Sequence, residues 1–190
     1  LKQRSGAPVL FDLATRRLPA TPQSFPHLTP ASTDSLRIES WEDTTLPKLD
    51  GNPLPLGAYE TARCLAIAPD ARSFVLGTDW RLRRFDSQGA ALWEKPVPDI
   101  VWGVNLAREG RLILAAYHDG TIRWHRAEDG AELLALFIHL PEGPDGPREW
   151  ILFTPEGYFD ASSPAAEKLI GWHVNRGPDE AADFYPVDTF

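Results

Sequence analysis

The sequence predicts an all-β protein built from four-stranded antiparallel sheets. Apolar runs rich in Val, Ile, Leu, Phe and Trp recur between turn residues, as in "SFVLGT", "RLILAAY" and "TIRWHR", and such runs are typical of strands. Helical periodicity is confined to short stretches, of which "SPAAEKLIG" is the best. There we expect Ser163 to cap a short helix whose first position is Pro164. Strands therefore dominate the predicted secondary structure.

The predicted strands fall into two copies of one unit. The stretch "LAIAPDARSFVLGTDWRLRRFDSQGAALW" aligns with "VNLAREGRLILAAYHDGTIRWHRAEDGAELL" at an offset of about forty residues, with a one-residue gap. Each copy reads as four strands joined by tight turns, the first at residues 69–71 in one copy and 108–110 in the other. Gly120 and Gly130 each follow an aspartate, and Asp-Gly between apolar strands is a strong hairpin signal.

Repeats of about forty residues with four strands each are typical of β-propeller blades. We therefore expect the C-terminal sector of a propeller followed by a short capping segment. Residues 1–22 would supply the outer strand of an upstream blade, and residues 23–35 a loop. Residues 36–157 would hold about two full blades and partial ones, with a third, incomplete copy opening at "EWILFTPEGYFDAS". Residues 158–190 would form a partial blade and the capping segment.

The chain is expected to be part of something larger. Blades bury their apolar faces only against neighbouring blades, so a sector alone leaves faces and sheet edges open to water. The sequence also begins with Leu1 and contains no Met. We therefore expect the remaining blades to lie upstream in a longer polypeptide or on a second fragment.

The two units resemble WD40 repeats in period and turn placement, although "RRFD" and "RWHR" stand where those repeats carry Trp-Asp. Residues 57–187 resemble the C-terminal propeller region of bacterial caspase-like proteins (peptidase C14 family) that contain WD40 repeats. The tract "TPEGYFDAS", with "LIGWHVNRG" and "AADFYPV", carries the most specific part of this resemblance. The resemblance implies a non-catalytic propeller attached to a peptidase domain whose catalytic His and Cys lie outside this chain.

Charge and composition argue against several classes of protein. A net charge of -8 and a pI near 5.1 disfavour a nucleic-acid binder, which needs a basic face. No apolar run reaches the roughly 20 residues of a transmembrane helix, and the N-terminus lacks the apolar core of a signal peptide. Cys64 lies in "ARCLAIA" and is interpreted as a small apolar strand residue, not a reactive thiol. One cysteine fits a reducing compartment, so we expect a cytoplasmic location.

No catalytic, cofactor-binding or metal-binding residue is expected. His118 and His125 flank a predicted hairpin turn and could share a cation with Asp119, but roles in the turn and on the strand surface are favoured. Aromatic and polar surface residues are better candidates for contacts with a protein partner, because Trp and Tyr often anchor interfaces. The candidate partner-binding residues are Trp80, Tyr117, His118, His173, Asn175 and Arg176.

The last three of these candidates have two interpretations. With the carboxylates of "DEAADF" nearby, His173, Asn175 and Arg176 could bind a small polar ligand. Alternatively, Trp172 and Val174 pack on the last blade while their polar neighbours face solvent.

The predicted function is that of a non-catalytic protein-interaction or sensing and regulatory module of a larger caspase-like protease. One alternative is a structural element that completes a propeller with an upstream fragment. Another is a small-molecule or hydrolytic site in the propeller funnel, for which the sequence offers no cluster of acid, base and nucleophile. The partners expected are a protein or the remaining blades of the same parent protein, with neither nucleic acid nor membrane.

Overall fold

A computed structural model describes residues 10–18, 36–140 and 148–189. The loop expected at residues 23–35, and parts of the outer strand expected within residues 1–22, lie outside the described residues. In the described ranges the regular secondary structure is almost entirely β-strand, as predicted, with two short 3-10 helices at Ala166–Leu169 and Val187–Thr189. No helix in these ranges has the length and apolar character needed to cross a membrane.

The strands of the described ranges form four antiparallel sheets in chain order. The N-terminal sheet contains β1 (Ile38–Glu39), β2 (Lys48–Leu49) and β3 (Asn52–Pro53). The first-repeat sheet contains β4 (Ala62–Ile67), β5 (Ser73–Thr78), β6 (Arg81–Asp86) and β7 (Ala91–Pro96). The second-repeat sheet contains β8 (Val101–Ala107), β9 (Leu112–Tyr117), β10 (Thr121–Arg126), β11 (Glu132–His139), β12 (Glu149–Phe153) and β13 (Phe159–Ala161). The C-terminal hairpin contains β14 (Gly171–Val174) and β15 (Asp183–Pro186).

The two predicted repeats correspond strand by strand. Strands β4 to β7 match β8 to β11, and matching strands start about forty residues apart. The irregularities recur as well, because an extra residue separates Ala62 from Cys64 in β4 and Val101 from Gly103 in β8. The β6–β7 and β10–β11 pairs share a second register shift at matching positions. The repeat is thus a structural one, down to its bulges.

The second repeat departs from the predicted four strands. The stretch "EWILFTPEGYFDAS" is expected from its sequence to open a third unit, but β12 pairs with β11, and β13 pairs with β12. The second-repeat sheet therefore has six strands, whereas the first-repeat sheet has the four predicted. The apolar strand β12 covers the edge of β11, which would otherwise expose unpaired backbone groups.

The first-repeat sheet is buried on both faces. Phe74, Leu76 and Phe85 pack on one face against Ile38 and Leu49 of the N-terminal sheet. The opposite face packs on the second-repeat sheet in a cluster that includes Cys64, Ala66, Val75, Leu82, Val101, Ile113 and Ala115. These three sheets therefore stack face to face in chain order, as apolar sheet faces require.

The predicted turn at Asp119 and Gly120 forms and connects β9 to β10. The N–H of Gly120 donates to the carbonyl of Tyr117 at 3.1 Å, and Asp119 Oδ1 accepts the N–H of Thr121 at 2.8 Å. Gly120 has a φ of +85°, a value that favours glycine. The φ of Asp119 is not positive. The turn therefore differs from the two-residue type in which both central residues are left-handed.

The stretch "SPAAEKLIG" forms a single 3-10 turn, Ala166–Leu169, instead of a longer helix. Ser163 Oγ accepts the N–H of Ala166 at 3.1 Å, but the N-cap residue is Ala165, which makes no side-chain capping hydrogen bond, so the expectation that Ser163 is the cap is wrong. Pro164 likewise precedes the helix and is not its first residue.

Candidate interaction surface

The bulges of the two repeat sheets present Arg63 and Trp102. Each is the unpaired extra residue at the start of its strand, Arg63 in β4 and Trp102 in β8. A bulge bends its strand locally and redirects a side chain, and bulges are frequent next to functional sites. The two side chains meet, with Arg63 Cζ 5.8 Å from the centroid of the Trp102 ring. This distance lies within the range of a cation–π interaction.

Two carboxylates hold the guanidinium of Arg63. Its Nε donates to Asp79 Oδ1 and its Nη1 donates to Asp43 Oδ1, both at 2.7 Å. The hydrogen bonds to Asp79 and Asp43 raise the pKa of Arg63, although partial burial acts in the opposite direction. The positive charge beside Trp102 is therefore permanent and fixed in position.

Trp102 also contacts His118, which follows β9. The two rings are 6.2 Å apart at an angle of 60°. His118 Nδ1 lies 3.2 Å from Asp99 Oδ2, and the His118 side chain is 61% exposed. The N–H of Ile100 is the main cause that lowers the pKa of Asp99, and His118 adds to this lowering. His118 therefore has the surface position expected from the sequence.

Three large aromatic side chains are exposed at this end of the sheets, where β5 ends and β8 begins. Tyr59 in the β3–β4 loop is 89% exposed, Trp80 in the β5–β6 turn 47%, and Trp102 45%. Exposed aromatic side chains grouped with charges are typical of interaction sites. We name this the loop-end surface, and its residues are Tyr59, Arg63, Trp80, Trp102 and His118.

A buried carboxylate shapes the loop that carries Tyr59. Glu60 is fully buried and accepts hydrogen bonds from Arg83 at 2.8 and 2.6 Å. It also accepts the hydroxyl of Thr78 at 2.6 Å and the N–H of Gly57 at 2.7 Å. Burial alone would raise the pKa of Glu60, but these hydrogen bonds outweigh burial and lower it. The network holds the loop in a conformation in which Tyr59 has a φ of +59°, a strained value for a residue other than glycine.

Tyr117 lies in the core, which corrects the expectation that it is a surface residue available to a protein partner. It is 4% exposed, and its hydroxyl is 2.8 Å from His125 Nε2. Side chains alternate along a strand, and this alternation turns Tyr117 into the cluster between the two repeat sheets. Burial accordingly raises the pKa of Tyr117. Tyr117 is therefore unsuited to anchor a partner.

The histidines beside the β9–β10 turn face different surroundings. His118 contacts Asp99 at the surface, whereas the buried His125 lies between Tyr117 and the carbonyl of Gly130, with Nδ1 3.3 Å from that oxygen. Asp119 accepts hydrogen bonds from Thr121. Among the described residues no three His, Cys, Asp or Glu side chains group as metal ligands. The arrangement does not favour the shared cation.

The remaining candidates lie on the C-terminal hairpin. His173, Asn175 and Arg176 are all exposed. Arg176 pairs with Asp183, and Asn175 Oδ1 accepts the N–H of Gly177. These contacts are within the hairpin, so the structure does not bring the three residues to the loop-end surface.

The two apolar neighbours of these candidates differ from each other. Trp172 is partly buried, and its indole N–H donates at 3.0 Å to the carbonyl of Val187 in the second 3-10 helix. Val174 is 40% exposed, so this part of the packing interpretation is wrong.

Cys64 has the role predicted from its flanking residues. It is 8% exposed, and its thiol donates to the carbonyl of Val101 at 3.3 Å between the two repeat sheets. Burial raises the pKa of the Cys64 thiol to about 12. Because the thiolate is the nucleophilic form, Cys64 is an inert core residue.

Sequence reasoning missed Tyr59, Arg63 and Trp102. Aligning "ARC" at the start of β4 with "VWG" at the start of β8 places Arg63 over Trp102. This match is visible in the sequence, but the bulge that makes both residues special is a property of strand pairing. Tyr59 carries no sequence signal of its left-handed conformation.

A scan against protein-family models finds no match for this chain, and a search of the curated proteins finds none. A search of the solved structures finds similarity to the crystal structure of BamB from Moraxella catarrhalis, with 15% sequence identity and a TM-score of 0.45. The similarity covers 63% of this chain and 40% of that chain, so the present chain spans less than half of the BamB length. The fold and surface define an all-β protein of stacked antiparallel sheets with exposed aromatic residues at one end.

Proposed function

We propose that this protein is a non-catalytic interaction module that binds a protein partner through the loop-end surface. The observation that carries the proposal is the exposure of Tyr59, Trp80 and Trp102 at one end of the stacked sheets. Large aromatic side chains supply much of the binding energy in protein interfaces, because they bury a large area with few rotatable bonds. Their exposure in the unbound chain leaves that area available.

The loop-end surface is rigid in a way that suits binding. Asp43 and Asp79 fix Arg63 beside Trp102, and Glu60 fixes the loop that carries Tyr59. A surface that is already ordered loses less conformational entropy when the partner binds. The bulges and ion pairs therefore support recognition of a partner by a preformed surface.

We extend the proposal to the larger protein in which such a module would act. The resemblance of residues 57–187 to the propeller region of caspase-like proteins supports a WD40-like propeller that captures a partner for a protease or restrains it. A cytoplasmic location is part of this proposal, supported by the single, buried Cys64.

A second candidate function is completion of a propeller by packing against a further sheet. Val75, Gly77 and Leu82 belong to the face of the first repeat that packs on the second-repeat sheet. The matching face of the second repeat instead lines a cavity of about 430 Å³ that Phe11 also borders. The matching residues are Leu114, Ala116 and Ile122.

Mass spectrometry distinguishes this second candidate. The chain purified from its natural source is weighed under native and then denaturing conditions. A native mass above 21.2 kDa that resolves into this chain and a second polypeptide supports completion of a propeller. A native mass of one chain argues against it.

The interaction proposal is tested by site-specific photocrosslinking followed by binding measurements. A photoreactive amino acid at position 80 or 102 captures the partner in cells, and the same amino acid at Leu92 is the control. Leu92 is 51% exposed but lies on the outer strand β7. The captured protein is then purified and titrated into the unmodified chain and its variants by calorimetry.

We expect Trp80→Ala and Trp102→Ala each to weaken binding by a factor of about 30 or more, as for a hot-spot residue. Leu92→Ala should change the affinity by less than about threefold. Equal losses for all three variants, or no loss for the two tryptophans, would show that the loop-end surface is not the binding site.

A further inference from the structure

A second surface with a distinct chemistry lies at the outer edge of the second-repeat sheet. Residues 10–18 form a short hairpin there, closed by hydrogen bonds between the backbones of Asp12 and Arg17. Phe11 contacts Trp150 of β12 edge to face, with ring centroids 5.1 Å apart. The hairpin and the β12–β13 strands border an open surface cavity of about 550 Å³.

Arginines dominate the charge of this cavity. Its lining includes Arg16, Arg17 and Arg148 but only one carboxylate, Asp160. Arg16 Nη1 pairs with Asp160 Oδ2 at 2.5 Å. Within the described ranges no ion pair neutralises Arg17 or Arg148. Two arginines without an ion pair in the described ranges therefore line one cavity, in a chain whose net charge is -8.

The hairpin presents its arginines in a defined conformation. Asp12 Oδ1 accepts the N–H groups of Ala14 and Thr15 at 2.9 and 3.2 Å, which fixes the turn. Arg16 has a φ of +54°, and its pair with Asp160 ties the hairpin to β13. The arginine side chains are thus brought to the cavity by two separate parts of the chain, the hairpin and the start of β12.

We propose that this cavity binds a dianionic oxyanion of the phosphate class, either free phosphate or a phosphate monoester. The guanidinium groups of Arg17 and Arg148, which have no ion pair within the described residues, match a charge of two, and guanidinium forks bind phosphate oxygens in pairs. Ser162 also lines the cavity. Ser162 Oγ accepts the N–H of Trp150 at 2.9 Å, which leaves its O–H free to donate to the anion.

The test is a nuclear magnetic resonance titration of the full chain with inorganic phosphate at pH 7.5. Sodium chloride at matched ionic strength controls for screening of the charges. Sodium acetate tests whether a monoanionic carboxylate binds as well, and phenyl phosphate tests whether a monoester is preferred over the free ion. The readout is the shift of the arginine Nε–H signals, assigned by substitution.

We expect saturable shifts of the Arg17 and Arg148 signals with phosphate and with phenyl phosphate, and only weak, unsaturated shifts with chloride and acetate. The double variant Arg17→Gln, Arg148→Gln should lower the phosphate affinity at least tenfold, and the corresponding double change to Lys should recover part of it. Arg37→Gln is the matched control, because Arg37 is 72% exposed and lies outside the cavity.

Three results would overturn the proposal. Shifts of equal size with chloride would show charge screening without a site. Acetate binding as tight as phosphate binding would remove the preference for a dianion. Unchanged phosphate affinity in the folded double Gln variant would place the binding elsewhere, and the dispersion of its backbone amide signals reports whether the variant is folded.

Discussion

Glu60 and Arg83 form a two-pronged ion pair inside the first-repeat sheet, with Glu60 Oε1 2.8 Å from Arg83 Nε and Oε2 2.6 Å from Nη2. Arg83 also pairs with Glu94, whose side chain is 45% exposed. The same Glu60 carboxylate accepts the N–H of Gly57 and so fixes the loop of Tyr59. One buried pair therefore links the stability of the sheet to the geometry of the loop-end surface.

We predict that Glu60→Gln lowers the free energy of unfolding by about 3 kcal/mol, since it leaves Arg83 buried with one partner fewer. Urea unfolding at pH 7 measures this loss. The control is Glu39→Gln, which removes a pair to the exposed Arg37 and should cost less than about 1 kcal/mol. A loss for Glu60→Gln no larger than that of the control would contradict the role of the buried pair.

Gly77 lies where the first-repeat sheet packs on Val101 of the second-repeat sheet. A Cβ atom at this position would lie 2.5 Å from Cys64 Sγ and 2.6 Å from Val101 Cγ1. We predict that Gly77→Ala lowers the free energy of unfolding by about 1–3 kcal/mol, because the sheets must move apart. Gly103→Ala is the matched control in β8, where the nearest atom would be 4.0 Å away. Thermal unfolding of both variants should show a lower midpoint for Gly77→Ala alone.

Substitutions at Gly120 test whether the β9–β10 turn depends on the left-handed backbone conformation of this residue. Gly120→Val should cost about 1–3 kcal/mol, because a β-branched residue is strained at a φ of +85°. Gly120→Asn shares the new Cβ, which would meet Phe137 at 3.1 Å, but Asn tolerates positive φ far better. Chemical unfolding should therefore show a clearly smaller loss for Asn. Equal losses of unfolding free energy in the two variants would show that the cost comes from the contact with Phe137 and not from backbone strain at position 120.

We predict that His125 makes the free energy of unfolding depend on pH below neutral pH. Burial is the main cause that lowers the pKa of His125 in the folded chain, whereas the unfolded value is about 6.5. Between these two values the unfolded chain binds more protons, so the free energy of unfolding rises with pH. The contribution of the buried neutral His125 ring to the free energy of unfolding is fully present above about pH 6.5. It declines as the pH falls below that value.

The pH effect is measured by urea unfolding at several values between about pH 5 and 7.5. His125→Gln should flatten the dependence in this window, since Gln does not titrate. His118→Gln is the control, because the His118 side chain is 61% exposed and pairs only at the surface. A slope that His118→Gln removes and His125→Gln leaves intact would contradict the assignment.

Part of the loop-end surface is predictable from the sequence. Trp80 and His118 stand in turns between clear strands, and both are exposed. Arg63 and Trp102 sit within apolar strands, where alternation alone does not reveal them. Their positions depend on a bulge, which is set by the register between strands and is not visible in either strand alone.

The strands, the turns and the repeat of about forty residues are recognisable in the amino-acid sequence alone. These features depend on side-chain alternation and turn chemistry, which act within a few residues. The folded chain adds three outcomes: β12 joins the second-repeat sheet, Tyr117 is buried and Tyr59 is exposed. Each of these outcomes depends on partners far away in the chain, and a shift of one residue in strand register moves a side chain from the core to the surface.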